Sequence, residues 1–220
     1  MHLIFDLDGT LVDSRPGILH SLQQAVRSVY PKLDPDQIKF KIGLPVRMIM
    51  GKALPDASAQ ELDRLELAFR IAYDDYGWKL SCLYPSVKQV LAQFNAKGIP
   101  LYIVTYKPAL PTDFILINTG IAQYFLEVAC PDSHLSHWKD KAEGIRSLLD
   151  RHSIQPGEAI YLGDSTEDLA AAQDCRLTFI GLKYGYGSFP VQPQGYSMAE
   201  SFDELPATIL NLVDRLPDKE

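Results

Sequence analysis

The chain contains five short apolar runs, each followed closely by a polar residue or glycine, and these runs predict buried β-strands. The segments between most of them place apolar residues at spacings of three and four, which is typical of helices that pack one face on a core. Strands that alternate with helices indicate an α/β fold with a doubly wound parallel sheet. The predicted strands cover residues 3–5, 101–104, 125–129, 159–162 and 177–182.

One block departs from this alternation. Helical spacing prevails from residue 14 to residue 82, and the pattern predicts no strand between residues 12 and 99. Ser14 is suited to cap the first of these helices. We therefore predict two domains, an α/β core formed by residues 1–13 and 83–220 and a small, inserted, all-helical cap formed by residues 14–82.

The predicted cap contains a stretch, residues 38–52, with four cationic and no acidic side chains. Such a stretch could bind an anionic substrate. It could equally be a solvated helix flank whose long side chains cover apolar surface. The cations are Lys39, Lys41, Arg47 and Lys52.

Composition narrows the class of protein. The 220 residues carry a net charge of −7, which disfavours nucleic acid or an anionic membrane as the main partner. The three cysteines are far apart and form no CxxC motif, so we expect reduced thiols in a cytoplasmic protein. No apolar run approaches 18 residues and no basic leader precedes the first strand, so we expect neither a membrane span nor a signal peptide.

Two acidic residues, Asp6 and Asp8, follow the first predicted strand directly. Ligands of open parallel sheets bind at the carboxyl ends of strands, and side chains two positions apart point the same way. Carboxylates so close repel each other unless a divalent cation lies between them or one is protonated and available as a general acid. An ordinary acidic turn is the alternative interpretation.

Further polar side chains follow the second and fourth predicted strands. Thr105 ends the second strand, where its hydroxyl could bind a phosphoryl oxygen or cap the next segment. Asp164 and Asp168 follow the fourth strand, and they could face one cation or merely favour a helix N-terminus. Lys139 and Lys141 precede a helix, where an ammonium would offset the negative charge gathered nearby.

The segment DLDGTLVDS, residues 6–14, resembles the first signature of the haloacid dehalogenase-like superfamily, and the other groups follow in the family's order. The resemblance implies that Asp6 attacks phosphorus and that Asp8 handles the leaving-group proton. It also implies a Mg²⁺ ion held by Asp6, the carbonyl of Asp8 and Asp164, with Asp168 in support. Thr105 and Lys141, with Lys139 as second choice, would then bind phosphoryl oxygens.

The resemblance extends to the phosphoglycolate phosphatase-like subgroup, which implies a Mg²⁺-dependent phosphatase that acts on a small phosphorylated metabolite. Gly43 and Arg47 match a subgroup motif on the cap face towards the substrate, and a guanidinium can grip a second anionic group. Relatives often continue the second motif with Asn and Lys, whereas this chain has Tyr106 and Lys107. We expect these two residues to contact substrate as well.

Three alternatives remain open at this point. A dehalogenase would also use an aspartate nucleophile, but it would generally lack Asp8. A sugar phosphomutase of the same fold would keep every core motif. A non-catalytic phospho-accepting or binding module would share the acidic residues, the threonine and the lysine, but not a helical insertion after the first strand. We expect a monomer or a homodimer.

Overall fold

The computed structural model describes residues 1–133, 136–189 and 195–213. The chain divides into two compact units. One consists of Met1–Asp13 together with Leu83–Glu220, and the other of Ser14–Cys82.

The second unit is built from three α-helices that bury a small apolar core of its own. Its core contains Leu22, Val26, Met50 and Leu65, none of them more than marginally exposed. The longest helix begins with a reciprocal cap, in which Ser58 and the Glu61 side chain bind each other's backbone N–H groups. The helices are α1 (Arg15–Val29), α2 (Val46–Ala53) and α3 (Ala59–Asp75), with short 3₁₀ turns at Pro35–Gln37 and Gly77–Leu80.

The first unit is organised around a six-stranded sheet in which every paired neighbour is parallel. The first strand is central, because its residue Leu3 is in register with Leu101 on one side and Ile160 on the other. The strands are β1 (His2–Phe5), β2 (Leu101–Val104), β3 (Glu127–Ala129), β4 (Ala159–Gly163), β5 (Thr178–Leu182) and β6 (Ser197–Ala199), and their order in the sheet is β6-β5-β4-β1-β2-β3.

The chain adds β2 and β3 on one side of β1 and then β4, β5 and β6 on its other side, so the direction in which strands are added changes at β1. In sheets of this kind the crevice at the carboxyl ends of the strands is where ligands bind. The helices of this unit are α4 (Val87–Ala96), α5 (Ala109–Thr119), α6 (Lys141–His152), α7 (Thr166–Asp174) and α8 (Leu205–Val213), with 3₁₀ turns at Ala122–Tyr124, Pro156–Glu158 and Phe202–Glu204.

Apolar packing fixes both faces of the sheet. On one face Tyr161 and Phe179 pack with Ile145 and Leu148 of α6. Phe5 stacks on Phe202, with ring centroids 6.0 Å apart. Because β1 and β4 are buried along most of their length, their carboxyl ends are held rigidly, and the side chains that follow them inherit that rigidity.

The predicted α/β class with a parallel sheet is confirmed, and each of the five predicted strands is present. Three predictions of local structure were wrong. A sixth strand, β6, was missed. Two-residue strands occur at Val12–Asp13 and Cys82–Leu83, where no strand was predicted. Short strands also occur at Asp132–Ser133 and Ser136–His137, within residues 130–138, for which the sequence predicts a loop. The apolar spacing of residues 202–216 predicts a closing helix, and the structure has a helix at Leu205–Val213; positions 214–216 lie outside the described residues.

Among the described residues, no helix is both long and apolar enough to cross a membrane. The three cysteines all lie in the described part of the chain and form no disulfide.

Candidate active site

Three buried carboxylates meet at the carboxyl ends of the two central strands. Asp6 follows β1 directly, Asp164 follows β4 directly, and Asp168 lies in the first turn of α7. One carboxylate oxygen from each lies within 4.8 Å of the others, and the three residues are 6%, 3% and 0% exposed. Carboxylates this close in a low-dielectric site are stabilised by positive charge between them or by protonation of one of them.

Lys141 supplies part of that charge. It is the first residue of α6, and its Nζ donates to Asp6 Oδ1 at 2.9 Å and to Asp168 Oδ1 at 2.6 Å. Burial lowers the pKa of this ammonium, but the two carboxylates outweigh burial and hold the pKa well above its usual value. Burial raises the pKa of the Asp6 carboxyl, and the Lys141 charge opposes that shift. The geometry selects Lys141 over Lys139, whose side chain is exposed.

Asp168 is fixed from both of its oxygens. Oδ1 accepts from Lys141 and, at 3.4 Å, from the Tyr161 hydroxyl. Oδ2 accepts from the Ser165 hydroxyl at 2.6 Å and from its backbone N–H at 3.0 Å, while Ser165 Oγ accepts from the Asp168 N–H. Asp168 thus caps the helix and pairs with Lys141 at the same time, and its role beside a metal ion stays a prediction.

Asp164 is oriented by backbone groups from the loop that follows β5. Its Oδ2 accepts from the N–H groups of Tyr186 at 2.5 Å and Gly187 at 3.2 Å. Burial, and secondarily the charge of Asp168, raises the pKa of Asp164 to about 6, although these two hydrogen bonds oppose the shift. The site therefore favours the protonated form of this carboxyl more than water does.

Asp8 forms a second ion pair at the same edge of the sheet. The Lys107 ammonium donates to both of its oxygens, at 3.0 and 2.9 Å, and the lysine side chain is only 6% exposed. Thr105 lies two residues before Lys107 in the chain, and the Thr105 Oγ1 accepts from the Lys107 N–H at 3.2 Å. A hydroxyl that accepts this bond keeps its own proton for a donor role.

Tyr106 contacts Lys141, the lysine proposed to act in catalysis, at two points. Its hydroxyl accepts from the Lys141 backbone N–H at 3.0 Å, and the Lys141 Nζ lies 5.1 Å from its ring centroid. The ring also lies against Trp138, with centroids 5.5 Å apart. Position 106 therefore places an aromatic side chain against the start of α6.

Arg47 and Gly43, which were predicted to bind substrate, both lie in the second unit. Arg47 lies on α2 and its guanidinium pairs with Asp63 and, at 3.7 Å, with Glu66 of α3. Arg47 is therefore paired although the stretch 38–52 contains no acid, because both acids come from a helix later in the chain. Gly43 is exposed and has a φ of +102°, and its contact with substrate stays a prediction.

The donor set fits a hard divalent cation. When all three carboxylates are ionised, they and the Lys141 ammonium leave two negative charges, and Mg²⁺ prefers carboxylate and carbonyl oxygens. Both oxygens of Asp168 already accept hydrogen bonds, which favours Asp6 and Asp164 as the side chains that would hold the ion.

Sequence reasoning missed several groups that complete the site. Tyr161 could not be distinguished from an ordinary core residue of β4. The Tyr186 and Gly187 contributions come from backbone N–H groups, which carry no side-chain signature. The two glycines of residues 184–187 were the available signal, since they permit close backbone approach.

Comparison with known proteins agrees with this geometry. Residues 3–182 match the family model of the haloacid dehalogenase-like hydrolases. The chain is 35% identical over 192 residues to a phosphoglycolate phosphatase from Vibrio vulnificus, which covers 84% of each chain.

Solved structures of predicted phosphatases are also similar to this chain. A predicted phosphatase from Clostridium acetobutylicum superposes with a TM-score of 0.79 at 26% identity, covering 96% of this chain and 98% of that one. A predicted phosphoglycolate phosphatase from Haemophilus somnus gives a TM-score of 0.79 at 26% identity, covering 94% and 97%.

The chain belongs to the haloacid dehalogenase-like hydrolase family. Within that family it is a phosphatase. The predicted family and enzyme class are thereby confirmed.

Proposed function

We propose that this phosphatase hydrolyses a small phosphate monoester through a phosphorylated aspartate at position 6, with phosphoglycolate as the first substrate to test. The proximity of Asp6, Lys141 and Asp164 supports the proposal, because it would bring the nucleophile, a fixed cation and a metal ligand together. The names of the similar phosphatases and the net charge of −7 support a small-molecule substrate.

The reaction has two steps. The Asp6 carboxylate attacks phosphorus, the bond from phosphorus to the ester oxygen breaks, and Asp8 gives its proton to the departing oxygen. Water then attacks the phosphorus of the aspartyl-phosphate, Asp8 takes a proton from it, and the Asp6 carboxylate is restored. Asp8 must be protonated in the first step, so the approach of the anionic substrate has to weaken its pairing with Lys107.

The other residues hold charge in place. Lys141 and Thr105 donate to phosphoryl oxygens whose charge shifts during transfer, and Asp168 keeps the ammonium of Lys141 in position. Asp6 and Asp164, with the backbone carbonyl of Asp8, would hold Mg²⁺. When bound, the ion supplies the positive charge that lets an anionic nucleophile approach an anionic ester.

The proposal is tested with a panel of phosphate monoesters assayed with and without Mg²⁺, using the wild type and Asp6→Asn. We expect turnover that requires Mg²⁺ and that falls by about a thousandfold or more in the variant, because an amide is a poor nucleophile. Asp174→Asn is the control, since Asp174 is exposed at the end of α7. Comparable turnover in Asp6→Asn would exclude Asp6 as the nucleophile.

A further inference from the structure

The loop of residues 184–187, with the sequence YGYG, follows β5 and has no place in the reaction described above. Two glycines suggest a dinucleotide site, but the third glycine and the helix of that motif are missing. In the structure this loop lies against Asp164. The N–H groups of Tyr186 and Gly187 both point at Asp164 Oδ2.

Both glycines are required by this close approach. A Cβ at Gly185 would overlap the Asp164 side chain, and a Cβ at Gly187 would overlap the Asp164 carbonyl oxygen and crowd Ser165 Cα. The loop backbone therefore fills the space beside the carboxylate that a side chain would otherwise occupy. Only glycine lets two consecutive amides reach one oxygen here.

The tyrosines of the loop bind the segment that follows β1. The Tyr184 hydroxyl donates to the Thr10 carbonyl at 2.7 Å, and the Tyr186 hydroxyl donates to Asp13 Oδ1 at 3.1 Å. The Tyr184 ring packs on Tyr84, with centroids 4.5 Å apart. The loop thus connects the segment that carries Asp6 and Asp8 with the carboxylate at the end of β4.

We propose that residues 184–187 are a positioning element for the metal centre, which fixes the orientation of Asp164 relative to the segment after β1. The inference rests on the proposed function, since it assumes that Asp164 binds the ion. A carboxylate that accepts two amide hydrogen bonds on one oxygen cannot rotate freely, and such outer partners typically change metal affinity by about 10- to 100-fold.

The test measures Mg²⁺ binding directly by isothermal titration calorimetry, so that it does not depend on turnover. Gly185→Ala places a methyl group against Asp164, and we expect Mg²⁺ to bind at least about tenfold more weakly. Gly157→Ala is the matched control, because Gly157 is exposed and a Cβ there meets nothing within 4 Å. It should bind Mg²⁺ as the wild type does.

Tyr184→Phe provides a second variant that keeps the loop backbone and removes one hydroxyl. We expect it to weaken Mg²⁺ binding by about fivefold, the size of one neutral hydrogen bond. This variant decides the matter if Gly185→Ala fails to fold. At saturating Mg²⁺ the KM for the phosphate ester should stay near the wild-type value in both variants, which separates a metal-positioning role from general damage to the fold.

Asp164→Asn distinguishes the failure of this inference from failure of the proposed function. If Asp164→Asn binds Mg²⁺ as tightly as the wild type, Asp164 is not a ligand, and this inference is overturned together with the metal-ligand set of the proposed function, whereas the role of Asp6 is tested separately by Asp6→Asn. If Asp164→Asn loses Mg²⁺ binding but the folded loop variants match Gly157→Ala, the metal centre stands and the positioning role of the loop is overturned.

Discussion

Replacement of Asp168 by Asn tests the network that holds Lys141. Asp168 is fully buried, and its two oxygens accept from Lys141, Tyr161 and Ser165. Asn is the same size, but it has one acceptor oxygen and no charge. If that oxygen turns to Lys141, the backbone N–H of Ser165 loses its partner; if it turns to Ser165, the Asn amide faces the ammonium.

The expected loss follows from these contacts. Removal of one partner from a buried ion pair costs about 3 to 5 kcal/mol of the free energy of unfolding. Lys141 keeps Asp6 at 2.9 Å, so we expect the lower end, about 3 kcal/mol. For a chain of 150–250 residues this corresponds to a fall of about 6 to 12 °C in Tm. Because Lys141 also loses its fixed position, kcat should fall by about 10- to 100-fold.

The measurement is thermal unfolding followed by circular dichroism in metal-free buffer, with kcat measured separately at saturating Mg²⁺. Asp174→Asn makes the same chemical change at an exposed position of the same helix and should change stability by no more than about 0.5 kcal/mol. If Asp168→Asn matched this control in Tm and in kcat, the contacts of Asp168 would contribute neither to stability nor to the position of Lys141.

Three further predictions concern groups around the site. Lys107→Met should lower kcat by about tenfold or more, because it frees the Asp8 carboxylate from its fixed orientation; an unchanged kcat would contradict this role. Arg47→Ala should reduce activity on phosphoglycolate and on an aryl phosphate by the same small factor, because its guanidinium is already paired with Asp63; a loss confined to phosphoglycolate would show a substrate contact. The rise in Tm on adding Mg²⁺ should be larger at pH 7 than at pH 5. The pKa of Asp164 is raised to about 6, so protons compete with the ion for this carboxylate below pH 6. The same raised pKa means that the contribution of Asp164 to the stability of the metal-free protein is lost as pH rises through 6. An equal rise in Tm at both pH values would argue against Asp164 as a ligand.

The sequence predicted the site best where an acidic residue directly follows a predicted strand. Asp6 and Asp164 each follow a run buried on both faces, so a hydrophobic pattern alone places them at one edge of a parallel sheet. The helix that starts at Thr166 was also predictable, because Ser165 and Asp168 form a capping pair at the right spacing.

Pairings between distant parts of the chain could not be predicted. Lys107 and Asp8 are 99 residues apart, and Arg47 meets Asp63 only because α2 packs on α3. No residue pattern reports such contacts. The sixth strand was missed for a different reason: β6 has only three residues, which is too short for a period of two to be recognised.

The most direct test of the account is to find the phosphoryl group on the enzyme. The wild type, mixed with labelled phosphoglycolate and Mg²⁺ and quenched in acid within one turnover, should carry label on the peptide that contains Asp6. Hydroxylamine should remove this label, because an acyl phosphate is labile to it, and Asp6→Asn should acquire none. Turnover without any labelled enzyme, or label on a peptide that lacks Asp6, would contradict the aspartyl-phosphate mechanism.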